Sequence, residues 1–203
     1  KRHKKSKILI FIATCKQVRF INDLFCRMKP GISINALHGG LHQLKRIDIY
    51  NKFSDVRHCC LLATDVASRG LDFPDVDWVV QLDCPDDPKT YIHRVGRTAR
   101  LDRSGRSLLV LMPNEAPHML KQLEKARVPV EEVMTRDKHL FWIQSTVESH
   151  LARDVDLKEE AKRAFKSYIK SLLNSHFRHM FVPEKLDLKA YAQSIGLVVT
   201  PRI

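Results

Sequence analysis

Apolar residues in the first two thirds of the chain come in short, continuous runs. Residues 7–13 read Lys-Ile-Leu-Ile-Phe-Ile-Ala, with no polar residue after the first position. Such a run is typical of a strand that is buried on both faces of a sheet. Similar runs predict further strands over residues 32–37, 59–63, 78–82 and 107–111.

Between these runs the apolar residues recur at every third or fourth position, which is the spacing of one helix face. This spacing predicts helices over residues 16–28, 43–53, 88–95 and 115–126. Strands that alternate with helices are joined by right-handed crossovers and form a mostly parallel sheet. In such sheets the functional loops lie at the carboxyl ends of the strands.

The character of the chain changes after about residue 130, where strand-like runs become few. Helical spacing predicts helices over residues 138–151, 157–175 and 187–195, and Gly196 closes the last of them. We therefore predict an α/β domain over residues 1–130 and an α-helical extension over residues 131–203.

The chain is basic, because 35 Lys and Arg residues against 23 Asp and Glu residues give a formal net charge of +12. This surplus favours binding to a polyanion such as nucleic acid, although a basic surface without a ligand is equally compatible. No apolar run approaches the roughly 20 residues that span a bilayer, so no membrane partner is expected. The start, Lys-Arg-His-Lys-Lys, lacks the apolar stretch of a secretory signal and resembles the cut end of a longer polypeptide.

None of the five cysteines has the C-x-x-C spacing of a zinc or redox site. Most lie within apolar runs, as Cys59 and Cys60 do, where cysteine packs as a small hydrophobic residue. We therefore predict no metal site, and reduced structural thiols in a cytosolic or nuclear protein.

Residues 91–100 carry three arginines and a histidine just after a predicted strand. Arg94, Arg97 and Arg100 are three positions apart, so a helical turn would align them along one side. Guanidinium groups bind phosphate with two hydrogen bonds and stabilise the charge of phosphoryl transfer. An ordinary basic surface helix is the alternative, which the interrupting Gly96 weakens.

Residues 63–72 form a second polar segment, directly after a buried strand. Thr64 and backbone N–H groups are candidates for holding a phosphate, and Asp72 is a candidate for accepting a hydrogen bond from a ribose hydroxyl. The alternative is that Asp65 and Ser68 merely cap a helix.

A third segment, residues 38–46, is a Gly-Gly turn that enters a basic helix. The N-terminus of that helix, with Arg46 beside it, is a candidate phosphate site. Taken by itself, the segment fits a plain loop better.

The order and wording of these segments resemble the DEAD-box family of RNA helicases. Residues 11–14 resemble motif IV, residues 38–46 the following glycine and Gln-x-x-Arg elements, residues 63–72 motif V, residues 83–85 the Asp-x-Pro element, and residues 93–100 motif VI. The match covers nearly all of residues 7–130. It implies an α/β, RecA-like lobe that forms the C-terminal half of a helicase core.

The resemblance also implies roles for individual residues. Arg97 and Arg100 resemble the arginine fingers that reach the ATP γ-phosphate when two lobes close, and His93 resembles the histidine that contacts the other lobe. Gly70 and Asp72 resemble positions that face the ATP ribose. The positions that resemble those gripping the RNA sugar-phosphate backbone are Thr14, Gly39, Gln43, Arg46, Thr64 and Arg69.

Neither a G-x-x-x-x-G-K-[ST] loop nor an Asp-Glu-Ala-Asp run occurs in the chain. The resemblance therefore places ATP binding and its Mg²⁺ ion largely on an N-terminal RecA-like lobe of the same polypeptide. The full-length enzyme is expected to unwind or remodel RNA with ATP. The isolated chain is expected to bind RNA weakly and to hydrolyse no ATP.

The extension narrows the expected role. Residues 164–169 and 186–197 resemble the C-terminal domain of nucleolar Dbp-type members of the family, which act in ribosome biogenesis. This implies pre-rRNA or a snoRNA–rRNA duplex and pre-ribosomal proteins as partners, in the nucleolus of the nucleus. An extension that only covers apolar surface on the lobe, as a helical clasp, is equally compatible.

Three other interpretations of the whole chain stay open. It fits a non-enzymatic RNA-binding or protein-docking module, although two paired arginine fingers are not needed for that. It also fits a DEAD-box helicase of another RNA process, such as splicing or translation. A DNA helicase is the weakest alternative, since the wording of motifs V and VI opposes it.

Overall fold

The computed structural model describes residues 4–65, 73–99, 104–134, 141–174 and 186–203. Within these ranges the strands are β1 (Ile8–Phe11), β2 (Ser33–Leu37), β3 (Cys59–Ala63), β4 (Trp78–Gln81) and β5 (Arg106–Leu109). The helices of the lobe are α1 (Cys15–Met28), α2 (Gln43–Asp55), α3 (Pro88–Val95) and α4 (Ala116–Lys125). The extension contributes α5 (Gln144–Arg153), α6 (Val155–Asn174) and α7 (Leu188–Ser194).

The five described strands form one sheet in the order β2-β3-β1-β4-β5, and every neighbouring pair is parallel. This confirms the predicted α/β, RecA-like architecture. Strand β1 lies in the middle of the sheet, between β3 and β4, and the chain passes from β1 to β2 on one side and from β3 to β4 on the other. The strand order therefore reverses next to β1, and ligands of open parallel sheets bind beyond the strand ends at such a point.

Burial on both faces of the sheet explains the continuous apolar runs. All five residues of β3 are buried. On one side Leu9 and Leu61 join the core, and on the other side Cys60 and Leu62 do. Burial raises the pKa of the Cys60 thiol to about 12, so this group stays protonated at neutral pH and acts as a packing residue.

One predicted helix begins later than expected, whereas the other predicted boundaries lie within two residues of the observed ones. The helix predicted over residues 138–151 begins at Gln144. Residues 141–143 are not helical, and residues 135–140 lie outside the described ranges. Val147 and Leu151 face the core, whereas Trp142 is 86% exposed. The aromatic residues before α5 therefore extended the apolar pattern without facing a core.

The extension packs against α1 through a shared apolar core. Phe20 and Leu24 of α1 lie in one cluster with residues from all three extension helices. Their buried partners in the extension helices are Val147, Leu151, Leu157, Ala161, Ala164, Phe165, Ile169 and Ala192. An ion pair between Arg19 and Glu160, 2.7 Å apart, crosses the same interface. The extension thus covers apolar surface on the lobe, as a clasp would, and the border predicted at residues 130 and 131 stays a prediction.

Helix α6, with 20 residues, is the longest of the described helices and shows how this packing is encoded. Leu157, Ala161 and Phe165 face the shared core, whereas Arg163 and Lys166 are exposed. The charged face keeps the helix at the surface of the protein. Of the helices in the described ranges, none combines the length and the apolar character that a bilayer crossing needs.

Replacing Phe165 with alanine tests the shared core. The Phe165 side chain is fully buried between α1 and the extension, so Phe165→Ala is expected to lower the free energy of unfolding by about 3–5 kcal/mol. The control is Lys166→Ala, at the exposed neighbouring position, which is expected to change the free energy of unfolding by less than about 0.5 kcal/mol. Equal midpoints for the two variants in a denaturant titration would show that the extension does not share a core with the lobe.

Candidate functional site

A cleft of about 380 Å³ lies beyond the carboxyl ends of the central strands. It is bounded by the end of β1, the second residue after β3, and helix α3 with the turns before and after it. The lining residues are Phe11, Asp65, Asp87, Lys89, Thr90, His93, Arg94 and Arg97. Two of the three residues predicted to be catalytic, His93 and Arg97, therefore lie together at this edge of the sheet.

Local capping fixes the start of α3 at the cleft. The Asp87 carboxylate accepts a hydrogen bond of 2.6 Å from the backbone N–H of Thr90, and Pro88 occupies the first turn. Both features are typical of helix N-termini. They set the direction of α3, which carries His93 and Arg94 towards the strand ends.

Arg94 is buried and binds the ends of two strands. Its side chain is 5% exposed, and its Nε and Nη2 atoms donate to the two carboxylate oxygens of Asp65 at 2.8 and 2.6 Å. Its Nη1 atom donates to the Asp83 carbonyl at 3.0 Å and to the Gln81 side chain at 3.3 Å. The guanidinium also lies 5.3 Å from the centre of the Phe11 ring of β1. Arg94 therefore has a structural role.

Arg94 and Arg97 both line the cleft, although the helix ends between them. Helix α3 ends at Val95, and Arg97 lies in the turn that follows. The chain leaves the helix because the Arg97 carbonyl accepts from the Val76 N–H at 3.1 Å, and the neighbouring Thr98 pairs with Val76 in an isolated bridge. Arg97 is half-buried and lines the cleft together with Arg94.

Asp65 is the ion-pair partner of Arg94, so it does more than cap a helix. The rest of this segment lies outside the described residues. It contains Ser68 and the predicted RNA and ATP positions Arg69, Gly70 and Asp72, and Arg100 also lies outside the described residues.

Thr14 caps the helix that follows the central strand. Its Oγ1 atom accepts from the Gln17 N–H at 3.2 Å, and the Gln17 side chain accepts from the Thr14 N–H at 3.1 Å. This reciprocal capping box fixes the turn between β1 and α1. Thr64, the residue after β3, is buried, and its Oγ1 atom has no hydrogen-bond partner among the described residues.

The turn after β2 is held by His38. Its Nδ1 atom accepts from the Gly40 N–H at 3.2 Å, and its carbonyl accepts from the Leu41 N–H at 3.1 Å. Burial lowers the pKa of His38, so the ring stays neutral at pH 7 and keeps Nδ1 as an acceptor. At the start of α2, Arg46 donates to the Gln43 side chain at 3.3 Å.

The predicted RNA positions follow three neighbouring strands. Gly39 follows β2, Thr64 follows β3 and Thr14 follows β1, in the order in which these strands lie in the sheet. Neighbouring strands are about 4.8 Å apart, so the three positions span about 10 Å along the edge. Gln43 and Arg46 lie at the N-terminus of α2 beside this row.

A second cleft, of about 310 Å³, lies between the sheet edge and α6 and was not predicted. Ala13, Asp83, Glu115 and Tyr168 are among its lining residues. Burial raises the pKa of both carboxyl groups, Asp83 and Glu115. The sequence marked Asp83 through its place after a predicted strand and in the Asp-x-Pro element, whereas a tyrosine on an amphipathic helix looks like an ordinary core residue.

Residues 1–102, half of the chain, match the family model described as the helicase conserved C-terminal domain. The chain belongs to this family. Residues 154–203 match a second model, described as the C-terminal extension of ATP-dependent rRNA helicases that are SPB4-like. The two matches fall on the lobe and on the extension that packs against it.

Curated relatives match almost the whole chain. The probable ATP-dependent RNA helicase DDX10 of Mus musculus is 48% identical over 201 residues, which are 99% of this chain and 23% of that protein. The ATP-dependent RNA helicase DBP4 of Coccidioides immitis is 48% identical over 199 residues, 98% of this chain and 25% of that protein. The chain therefore spans about a quarter of the length of these relatives.

Solved DEAD-box structures share the fold. Helicase domain 2 of Mss116p, bound to an RNA duplex, superposes with a TM-score of 0.76 at 28% identity, covering 97% of this chain and 77% of that one. The C-terminal domain of Dbp5 gives a TM-score of 0.53 at 32% identity, covering 62% of this chain and 72% of that one. The resemblance to the DEAD-box family is thus confirmed.

The structural role of Arg94 is testable by substitution. Arg94→Ala leaves the part-buried Asp65 carboxylate without its ion-pair partner, so it is expected to lower the free energy of unfolding by about 3–5 kcal/mol. His93→Ala, on the exposed side of the same helix, is expected to lower it by less than about 0.5 kcal/mol. Denaturant titration of both variants measures the difference, and equal losses would contradict the role given to Arg94.

Proposed function

We propose that this chain is the C-terminal lobe of an ATP-dependent RNA helicase, and that ATP binds at the cleft when an N-terminal lobe closes over it. The observation that carries the proposal is that Arg97 lines the cleft while Arg94 beside it is bound in a buried ion pair. The ion pair of Arg94 with Asp65 fixes this segment, which places the Arg97 guanidinium at the cleft, where a phosphate would bind. The names of the relatives, ATP-dependent RNA helicases, support the same activity.

Arg97 would stabilise the negative charge that builds on the γ-phosphate during transfer, together with Arg100. His93, exposed on α3, would contact the N-terminal lobe. Gly70 and Asp72 would face the ribose. The Mg²⁺ ion, which neutralises charge on the β- and γ-phosphates, would be held by the N-terminal lobe, as the resemblance to the family implies.

The row of positions 39, 64 and 14 would bind the sugar-phosphate backbone of RNA, with Gln43, Arg46 and Arg69 beside it. Such contacts position RNA without reading its sequence. The similar domain 2 of Mss116p is bound to an RNA duplex in its structure, which supports RNA binding by this lobe. ATP and RNA would both bind better between closed lobes than between open ones, and this difference couples hydrolysis to strand release.

The RNA substrate is proposed to be pre-rRNA or a snoRNA–rRNA duplex, met together with pre-ribosomal proteins in the nucleolus. The match of the extension to SPB4-like rRNA helicases supports ribosome biogenesis over splicing or translation. The retained arginine of motif VI favours an enzyme over a non-enzymatic RNA-binding module.

The finger assignment is tested in the joined protein, in which this chain is preceded by its native N-terminal lobe. Arg97→Ala is expected to reduce RNA-stimulated ATP turnover by about 10³-fold or more while RNA affinity stays unchanged. Lys125→Ala, a charge removed at the end of α4, is the control and is expected to keep full turnover. The chain alone is expected to hydrolyse no ATP. Unchanged turnover in Arg97→Ala would reject the assignment.

The proposed contacts to the RNA backbone are tested by the salt dependence of RNA binding. In the joined protein, Arg46→Ala is expected to weaken binding to single-stranded RNA of any sequence and to reduce the slope of log affinity against log salt by about 0.7. Lys52→Ala removes an equal charge from the other end of α2, where Lys52 pairs with Asp48, and is expected to keep the slope. Equal slopes for the two variants would exclude a phosphate contact at Arg46.

A further inference from the structure

The turn between β1 and α1 is held by two side chains that bond its backbone. The Asp83 carboxylate accepts from the Ala13 N–H at 2.7 Å, and the Gln17 side chain accepts from the Thr14 N–H at 3.1 Å. Both acceptors lie on the lobe, one after β4 and one in the first turn of α1. The position of Thr14 therefore depends on how these two side chains are oriented.

Two tyrosines of the extension reach these acceptors. Burial raises the pKa of the Asp83 carboxyl group, and the hydroxyl of Tyr168, on α6, is among the groups that lower it. Burial raises the pKa of the Tyr191 phenol, on α7, and the side chain of Gln17 is the group that lowers it. Ala13, Asp83 and Tyr168 line the same cleft, which places them next to one another independently of this interaction.

The tyrosines also support each other. Their ring centres are 4.8 Å apart, and the ring of Tyr191 stacks on Phe165 at 5.3 Å with an interplanar angle of 21°. Burial raises the pKa of both phenols, so both keep their protons at neutral pH. Two helices of the extension thus converge on one turn of the lobe.

We infer that Tyr168 and Tyr191 are positioning residues that hold the β1–α1 turn, and through it Thr14, in the geometry that binds the RNA backbone. The inference rests on the proposed function, because it takes Thr14 as an RNA contact. In this role the extension acts on RNA binding through the lobe and needs no RNA contact of its own.

The physical reason lies in what each acceptor loses without its phenol. Burial opposes the charge on Asp83, and the Tyr168 hydroxyl is one of the groups that stabilise that charge. Without it the carboxylate loses a contact that fixes the orientation of its oxygens towards the Ala13 N–H. Without Tyr191, the amide of Gln17 loses a contact that orients its oxygen towards the Thr14 N–H.

The test removes the hydroxyl of each tyrosine and keeps its ring. In the joined protein, Tyr168→Phe combined with Tyr191→Phe is expected to raise the RNA concentration for half-maximal ATP turnover by about threefold to tenfold. Turnover at saturating RNA is expected to stay unchanged. Leu157→Ala, in the same core but near the start of α6 and away from the tyrosines, controls for lost packing and is expected to lower the melting temperature without raising that RNA concentration.

Coupling to Thr14 separates positioning from a general loss of stability. If the tyrosines act through Thr14, the double tyrosine variant has little further effect on RNA affinity in a Thr14→Ala background. Amide hydrogen exchange of Ala13 and Thr14 is expected to be faster in the tyrosine variants than in the parent protein.

The outcomes distinguish the inference from the proposed function. RNA-stimulated turnover with an unchanged half-maximal RNA concentration in the tyrosine variants would overturn the inference and leave the proposed function standing. An equal additional loss of RNA affinity in the Thr14→Ala background would also overturn it. No stimulation of the parent protein by RNA would overturn both.

Discussion

The buried guanidinium of Arg94 organises the edge of the sheet on which the candidate site depends. It binds Asp65 after β3, reaches Asp83 and Gln81 at the end of β4, and packs on Phe11 of β1. Three neighbouring strand ends are thereby fixed relative to one another. Because breaking such a pair leaves a charge without a partner in a poorly solvated place, the arrangement resists deformation. A fixed edge is what a site completed by a second lobe requires.

The extension belongs to the same unit as the lobe. Phe20 and Leu24 of α1 would face water without it, and they are instead buried against α6 and its neighbours. Thr14 is the N-cap of α1, so the helix that the extension covers starts next to a proposed RNA contact. Packing energy in the extension and geometry at the sheet edge are therefore linked through one helix.

The strands were predictable because a parallel sheet covered on both faces demands continuous apolar runs, as in β3. The order of the motifs identified which polar residues gather at the strand ends. Spacing alone did not reveal the structural role of Arg94, because a three-residue interval between arginines says nothing of Asp65, its ion-pair partner 29 positions earlier in the chain. The same limit applies to Tyr168, because its role depends on Asp83, which only the folded chain brings close. The roles of Arg69, Gly70, Asp72 and Arg100 stay predictions.

The most direct test of the account is a structure of the joined protein with single-stranded RNA and a non-hydrolysable ATP analogue. The account predicts that the Arg97 guanidinium lies within hydrogen-bond distance of the γ-phosphate while Arg94 still pairs with Asp65. It would be contradicted if Arg97 pointed away from the nucleotide, or if Arg94 left Asp65 to bind the phosphate in its place.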